Sequence, residues 1–197
     1  MSAAGATATV ARVPGRLQTV AVLAVTAVVI GAIAFLAGGA DAEGLTKVEL
    51  EGNVAGSAPV VGSVPPGFTG VTYDGQTVSL SDYAGKPVWL TFGASWCPDC
   101  RVEAPDVEAA YQKYKDQGLN VLGVFISEGA DDVAGYAGRA GMTFPIVVDS
   151  RTEVAAAYRT MGIPTHFFIG ADGTIKEVRI GAMHRDDMDR ALAAIMN

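Results

Sequence analysis

The sequence predicts an α/β fold, a central mixed sheet flanked by helices, preceded by one N-terminal transmembrane helix. Three observations predict it. The stretch from Leu17 to Ala40 carries no charged residue over 24 positions, and a helix of roughly 20 apolar residues spans a bilayer core. Beyond residue 86, short apolar runs alternate with helix-like segments, the pattern of strands interleaved with helices. A hairpin signal at Asp172-Gly173 and an amphipathic segment close the chain, which makes the sheet mixed rather than parallel.

The elements follow in order. Residues 1–16 read as a cytoplasmic tail, 17–38 as the transmembrane anchor or an uncleaved signal, 39–67 as a linker, and 68–197 as the folded domain. Arg12 and Arg16 precede the apolar run, while Asp41 and Glu43 follow it. The positive-inside rule then puts the N-terminus in the cytoplasm and the domain on the extracytoplasmic side of the cell membrane. Ala40-Asp41-Ala42 has the small-x-small pattern of a cleavage site, so a cleaved signal peptide is the rival reading. Both readings export the domain. The linker is rich in Gly, Pro, Ser and Val, with one early strand expected around 46–50.

Residues 70–80 alternate around Asp74-Gly75, a hairpin turn. Ser81-Asp82 is placed to cap a short helical turn. Residues 87–92 form an apolar run suited to a buried strand. Residues 97–117 read as a helix stopped by Gly118. Strands at 120–127 and 144–149 bracket a helix at 131–140. A helix at 152–160 follows, with Thr152 at its capping position, then a hairpin over 165–180 and a helix over 185–196.

The formal net charge is −7. Of fourteen basic residues, Arg12 and Arg16 stand before residue 41, so 41–197 carries twelve basic against twenty-one acidic, a net −9. Nucleic-acid binding needs basic patches to neutralise phosphates, so this surface excludes it. Two histidines, His166 and His184, are too few for a His-rich metal site. No cofactor is called for.

The chemistry sits in Trp96-Cys97-Pro98-Asp99-Cys100, which follows an apolar strand and opens a helix. Unpaired N–H groups and the dipole at a helix start stabilise an anion there. Cys97 is therefore expected to be partly thiolate near neutral pH. Cys100, one turn later, is spaced to close a disulfide with it. Pro98 suits the first helical turn, where its missing N–H is not needed. Trp96 shields one side. Zinc knuckles share the two-residue spacing, but two further ligands would be needed and none lies near. A second element favours redox chemistry: Gly162-Ile163-Pro164-Thr165, just before an apolar strand. A proline there suggests a cis bond in a tight turn, leaving backbone groups free for an extended chain.

These residues resemble the thioredoxin superfamily, and within it the TlpA/ResA-like group of membrane-anchored thiol–disulfide oxidoreductases. The resemblance covers about residues 57–197. It rests on Ser79-Leu80-Ser81-Asp82-Tyr83-Ala84-Gly85-Lys86-Pro87, on Ala94-Ser95 leading into the cysteine motif, on Glu103 and Pro105, and on Gly162-Ile163-Pro164-Thr165. An extra strand–helix unit at about 129–149 also resembles this group. The resemblance implies a thioredoxin-like fold. Cys97 is implied as the attacking cysteine, Cys100 as the resolving one, and Glu103 as an acid near the pair. Trp96, Ile163, Pro164 and Thr165 are implied as the substrate-binding surface, and Pro105 as a kink in the helix. It further implies protein substrates with thiols or disulfides and a membrane redox partner, with two directions open: as a reductant, a part in cytochrome c maturation; as an oxidant, insertion of disulfides into secreted proteins.

Two positions depart from relatives. Thr91 stands where cytosolic thioredoxins carry a buried aspartate, which shifts proton handling towards Glu103. Gly93 stands where relatives often carry tryptophan. Two other functions share the fold: a peroxiredoxin-type peroxidase and a metal-binding module. The first needs a proline and threonine upstream of the cysteine, and no proline lies between Thr91 and Cys97; the second lacks a Met or His in the motif. His166 is read as a strand residue without a catalytic part and His184 as a loop residue. Arg139, Arg151 and Arg159 are read as surface charges, and Met142 and Met161 as core or groove packing.

Overall fold

In a computed structural model of the protein, residues 15, 20, 22–29, 46–51 and 58–196 are described. The chain divides into two compact units, Met1–Glu43 and Gly44–Asn197. In the first, residues 22–29 are helical. Among the described residues no helix is long and apolar enough to cross a membrane. Most of the segment 17–38, where an anchor is expected, lies outside the described residues, as does nearly all of the tail.

The second unit has two sheets. β1 (Glu49–Glu51), β2 (Gly67–Val71) and β3 (Thr77–Ser79) form a small antiparallel sheet. The main sheet contains β4 (Val88–Gly93), β5 (Asn120–Ile126), β6 (Ile146–Asp149), β7 (Thr165–Ile169) and β8 (Ile175–Ile180), in the order β6-β5-β4-β7-β8. β4, β5 and β6 are parallel, while β7 is antiparallel to both its neighbours, β4 and β8. Helices α1 (Pro98–Tyr114), α2 (Ala130–Ala140), α3 (Glu153–Ala157) and α4 (Arg185–Ile195) complete it. This is the mixed α/β fold expected, and the early strand is β1.

Every residue of β4 is buried, because both faces of the sheet are covered. Alternation divides its side chains. Trp89 joins Val107, Phe168, Met188 and Leu192 in one core. Leu90 and Phe92 join Phe68, Val154, Tyr158 and Phe167 in the other.

Local departures from expectation have local causes. The short 3-10 turn Leu80–Tyr83 has Ser79, not Ser81, at its cap; the Ser79 amide donates to Asp82 Oδ2 at 2.8 Å. Thr152 has φ 58 and makes no side-chain cap. Asp149, at the end of β6, caps instead, accepting from the amides of Glu153 at 2.7 Å and Ala155 at 2.9 Å. Helix α3 is accordingly shorter than the sequence suggested. Gly118, at φ 100, ends the 3-10 turn after α1, where only a residue tolerant of left-handed backbone fits easily. Part of the segment read as linker packs on the domain: the Tyr158 hydroxyl donates to Pro66 O at 2.7 Å, and Gly62 and Ser63 exchange backbone hydrogen bonds with Ile175.

The two edges of the main sheet differ. β6 is covered by a bridge between Thr72 and Val147. β8 is met by Gly62 and Ser63 at its first residue, Ile175, and beyond it carries Lys176, Glu177 and Arg179.

Candidate active site

The carboxyl end of β4 delivers the chain to the start of α1. Cys97 is the N-cap of that helix and Pro98 its first residue. The Cys100 amide donates to Cys97 Sγ at 3.1 Å. A free N–H group of the helix start is thus aimed at the sulfur expected to carry charge. Cys97 and Cys100 form a disulfide, with S–S 2.21 Å and Cα–Cα 5.3 Å.

Ala94, Cys97 and Cys100 make a small buried cluster of their own, with Ile163 packed against it. The Ile163–Pro164 bond is cis, as expected, and Cys97 Sγ lies 3.8 Å from Ile163 O. The loop is held from behind: Gly181 N donates to Pro164 O at 2.8 Å, and Thr165 Oγ1 donates to Gly162 O at 2.6 Å. Beside the pair, Trp96 is 53% exposed and Met161 is 91% exposed. Met161 is therefore outside the core, whereas Met142 is in it. Arg139, Arg151, Arg159 and His184 are exposed, as expected. A cleft of about 440 Å³ lined by Leu80, Tyr83, Val88 and Ile169 lies at the other end of the sheet and holds no thiol.

Glu103 sits one turn beyond Cys100 on the buried side of α1. It is no solvated helix residue. Its Oε2 accepts from the Met183 amide at 3.1 Å and lies 3.3 Å from His166 Nε2. His166, set aside on sequence grounds, is fully buried. Trp89 Nε1 donates to its Nδ1 at 3.2 Å. His166 pairs across the sheet with Thr91, the position where an aspartate was missed.

A second buried acid, Glu128, was not foreseen. It follows β5 and accepts from the Ser95 amide at 2.7 Å, with a second bond from the Ser95 hydroxyl. Arg101 Nε donates to Ser95 O at 2.6 Å. The residue two before Cys97 is thus gripped from both sides. Burial pushes the Glu128 carboxyl up from its ordinary 4.5, against the opposing bonds from Ser95. A lone glutamate after a strand gives no sequence signal; its position beyond the carboxyl end of β5, the edge where α/β sites form, is the clue that was available.

A helix-capping cysteine, its partner one turn on, and a cis-proline loop across from them define a thiol–disulfide oxidoreductase of thioredoxin-like fold. The chain belongs to the AhpC/TSA family, whose pattern it matches over residues 61–178. It is 39% identical over 139 residues to thiol-disulfide oxidoreductase ResA of Geobacillus kaustophilus (strain HTA426), covering 71% of this chain and 80% of that one. Identity to ResA of Bacillus subtilis (strain 168) is 34% over 122 residues, covering 62% and 68%. Among solved structures, a thioredoxin family thiol:disulfide interchange protein from Chlorobium tepidum TLS superposes with TM-score 0.64 at 29% identity, covering 72% of this chain and 99% of that one. StoA from Bacillus subtilis gives TM-score 0.57 at 28% identity, covering 66% and 98%. The chain is a protein thiol–disulfide oxidoreductase.

Proposed function

We propose that this enzyme is tethered to the cell membrane and reduces cysteine pairs of exported proteins, keeping haem-attachment thiols open during cytochrome c maturation. The single observation that carries the chemistry is Cys97 Sγ at the N-cap of α1, beside the Ile163 carbonyl. Location outside the cytoplasm is supported by the uncharged run Leu17 to Ala40 behind Arg12 and Arg16. Reduction is supported by Asp99, exposed in the first turn of α1. Its charge opposes a thiolate at the helix start, and a less stabilised thiolate makes a stronger reductant.

The reaction runs as follows. The Cys97 thiolate attacks one sulfur of a substrate disulfide, whose other sulfur leaves as thiolate and takes a proton. The substrate chain lies along Ile163, Pro164 and Thr165, with Trp96 at its side. Glu103 takes the proton of Cys100, whose thiolate attacks Cys97 Sγ; the Cys97–substrate S–S bond breaks, and the substrate sulfur leaves as a thiolate that takes a proton from water to complete the dithiol. The enzyme is left with the Cys97–Cys100 disulfide, which a membrane redox partner must reduce.

The test combines three readouts. Purified protein should reduce insulin and show no peroxide consumption. Protease added to spheroplasts should digest residues beyond 45. Cells carrying Cys97→Ser should lose covalently bound haem, with recovery on adding a membrane-permeant thiol. Normal haem attachment in those cells would remove cytochrome c maturation from the reading; a domain shielded until lysis would remove the location.

A further inference from the structure

We propose that His166 is a positioning residue for the exchange reaction, acting through Glu103; this rests on the proton-accepting role given to Glu103 above. The indole N–H of Trp89 can only donate, and it points at His166 Nδ1 at 3.2 Å. Nδ1 must therefore present its lone pair. The imidazole proton is then on Nε2, the nitrogen 3.3 Å from Glu103 Oε2. That buried nitrogen makes no well-aligned hydrogen bond in this disulfide-bonded state, and the Glu103 carboxylate is the acid in its reach. An unpartnered buried N–H this close to the carboxylate has one acid to turn to, and a small movement closes the bond. The Met183 amide, 3.1 Å from the same oxygen, fixes the carboxylate from the other side. Trp89 is itself immobilised, fully buried and stacked on Phe168 with centroids 5.2 Å apart. The chain Trp89–His166–Glu103 thus sets the orientation of the acid one turn beyond Cys100.

Polar and charged groups face this chain from every element packed on it, and the one unpartnered donor among them in the described residues is the Tyr136 hydroxyl. On β4, Thr91 lies opposite His166. On β8, its cross-strand neighbour Arg179 is paired with Glu177. On α2, the Tyr136 phenol feels Arg101, Glu103 and Glu128 electrostatically. On α4, Arg185 and Asp189 pair with Asp106 and Lys113 of α1.

Mixed-disulfide resolution is measured against pH for the intact wild-type protein, Glu103→Gln, His166→Phe, His166→Gln and the double variant Glu103→Gln with His166→Phe. Glu103→Gln should slow resolution at neutral pH by about 10²-fold, the lower range for a positioned general base. His166→Phe should slow it by about tenfold and displace the pH profile, the loss expected where the Nε2–H closes on the carboxylate during resolution. His166→Gln keeps an N–H in place of Nε2 and should restore most of the rate. The double variant should be no slower than Glu103→Gln alone. A wild-type profile for His166→Phe overturns the inference. So does a further tenfold loss in the double variant, which would mark a general structural effect. If Glu103→Gln resolves at the wild-type rate, the role of Glu103 fails and that of His166 with it. Where His166→Phe does not fold, Trp89→Phe deletes the indole N–H and should also displace the profile, and ¹⁵N spectra of the wild-type imidazole read the tautomer directly. A proton on Nδ1 would overturn the assignment.

Discussion

Cys97 and Cys100 differ in what surrounds them, so their substitutions should differ in kind. Cys97 receives the helix-start amide and lies against the cis-proline loop; Cys100 faces inward in the first turn of α1. Cys97→Ser should abolish insulin reduction. Cys100→Ser should retain attack and accumulate mixed disulfides, visible as adducts on non-reducing gels; trapping by the Cys97→Ser variant instead would reverse the roles. Asp99→Asn should raise the reduction potential by about 6–20 mV. A charge at a helix start is worth ~0.3–1 kcal/mol, and 30 mV is ~1.4 kcal/mol for this couple. Glu128 bears on stability. Its carboxyl is raised above 4.5 by burial, so folding binds its proton more tightly. Wild-type stability should therefore fall as pH rises from about 4.5 through the raised value, and Glu128→Gln should flatten that fall in denaturation series. The cysteines and Pro164 were legible because their meaning is written in adjacent residues. His166 and Glu128 were not, because their partners Glu103 and Ser95 are brought to them by the sheet.

At the scale of elements, boundaries set by proline and glycine were legible, as at Pro98 and Gly118. Those set by distant caps were not: α3 is fixed by Asp149, a residue of the preceding strand. The packing of α4 gives a test of what holds the site's scaffold. Leu192 is fully buried on α4, in the same core as Trp89 and Val107. Leu192→Ala should cost about 2–5 kcal/mol in urea unfolding. Val102→Ala on the outer face of α1, where Val102 is 75% exposed, should change stability by less than about 0.5 kcal/mol. Because the cysteines sit in a separate small cluster with Ala94, Leu192→Ala should leave their reduction potential unchanged in the fraction still folded.

On the scale of the molecule, both apolar cores draw their residues from Val48 to Ile195. A fragment beginning at Gly44 should fold by itself and reduce insulin at the rate of the full chain; an unfolded fragment would show that the preceding unit is needed. That the domain is α/β was legible from the alternation of apolar runs. That the small sheet of β1, β2 and β3 folds back along β6 was not, since it depends on Thr72 meeting Val147. The sheet edges have a further consequence. A row of unpaired backbone N–H and C=O groups is a template for any extended chain that passes, and an enzyme of this class meets such chains as substrates. The Thr72 bridge closes one template. On the other, Gly62 and Ser63 occupy the start of β8 at Ile175, and the charges of Lys176, Glu177 and Arg179 discourage a stray strand from adding on beyond it. Extended polypeptide is thereby steered away from the sheet margins and left to engage the molecule at the loop beside Cys97, so that the grip on a client is reversible and ends with the chemistry.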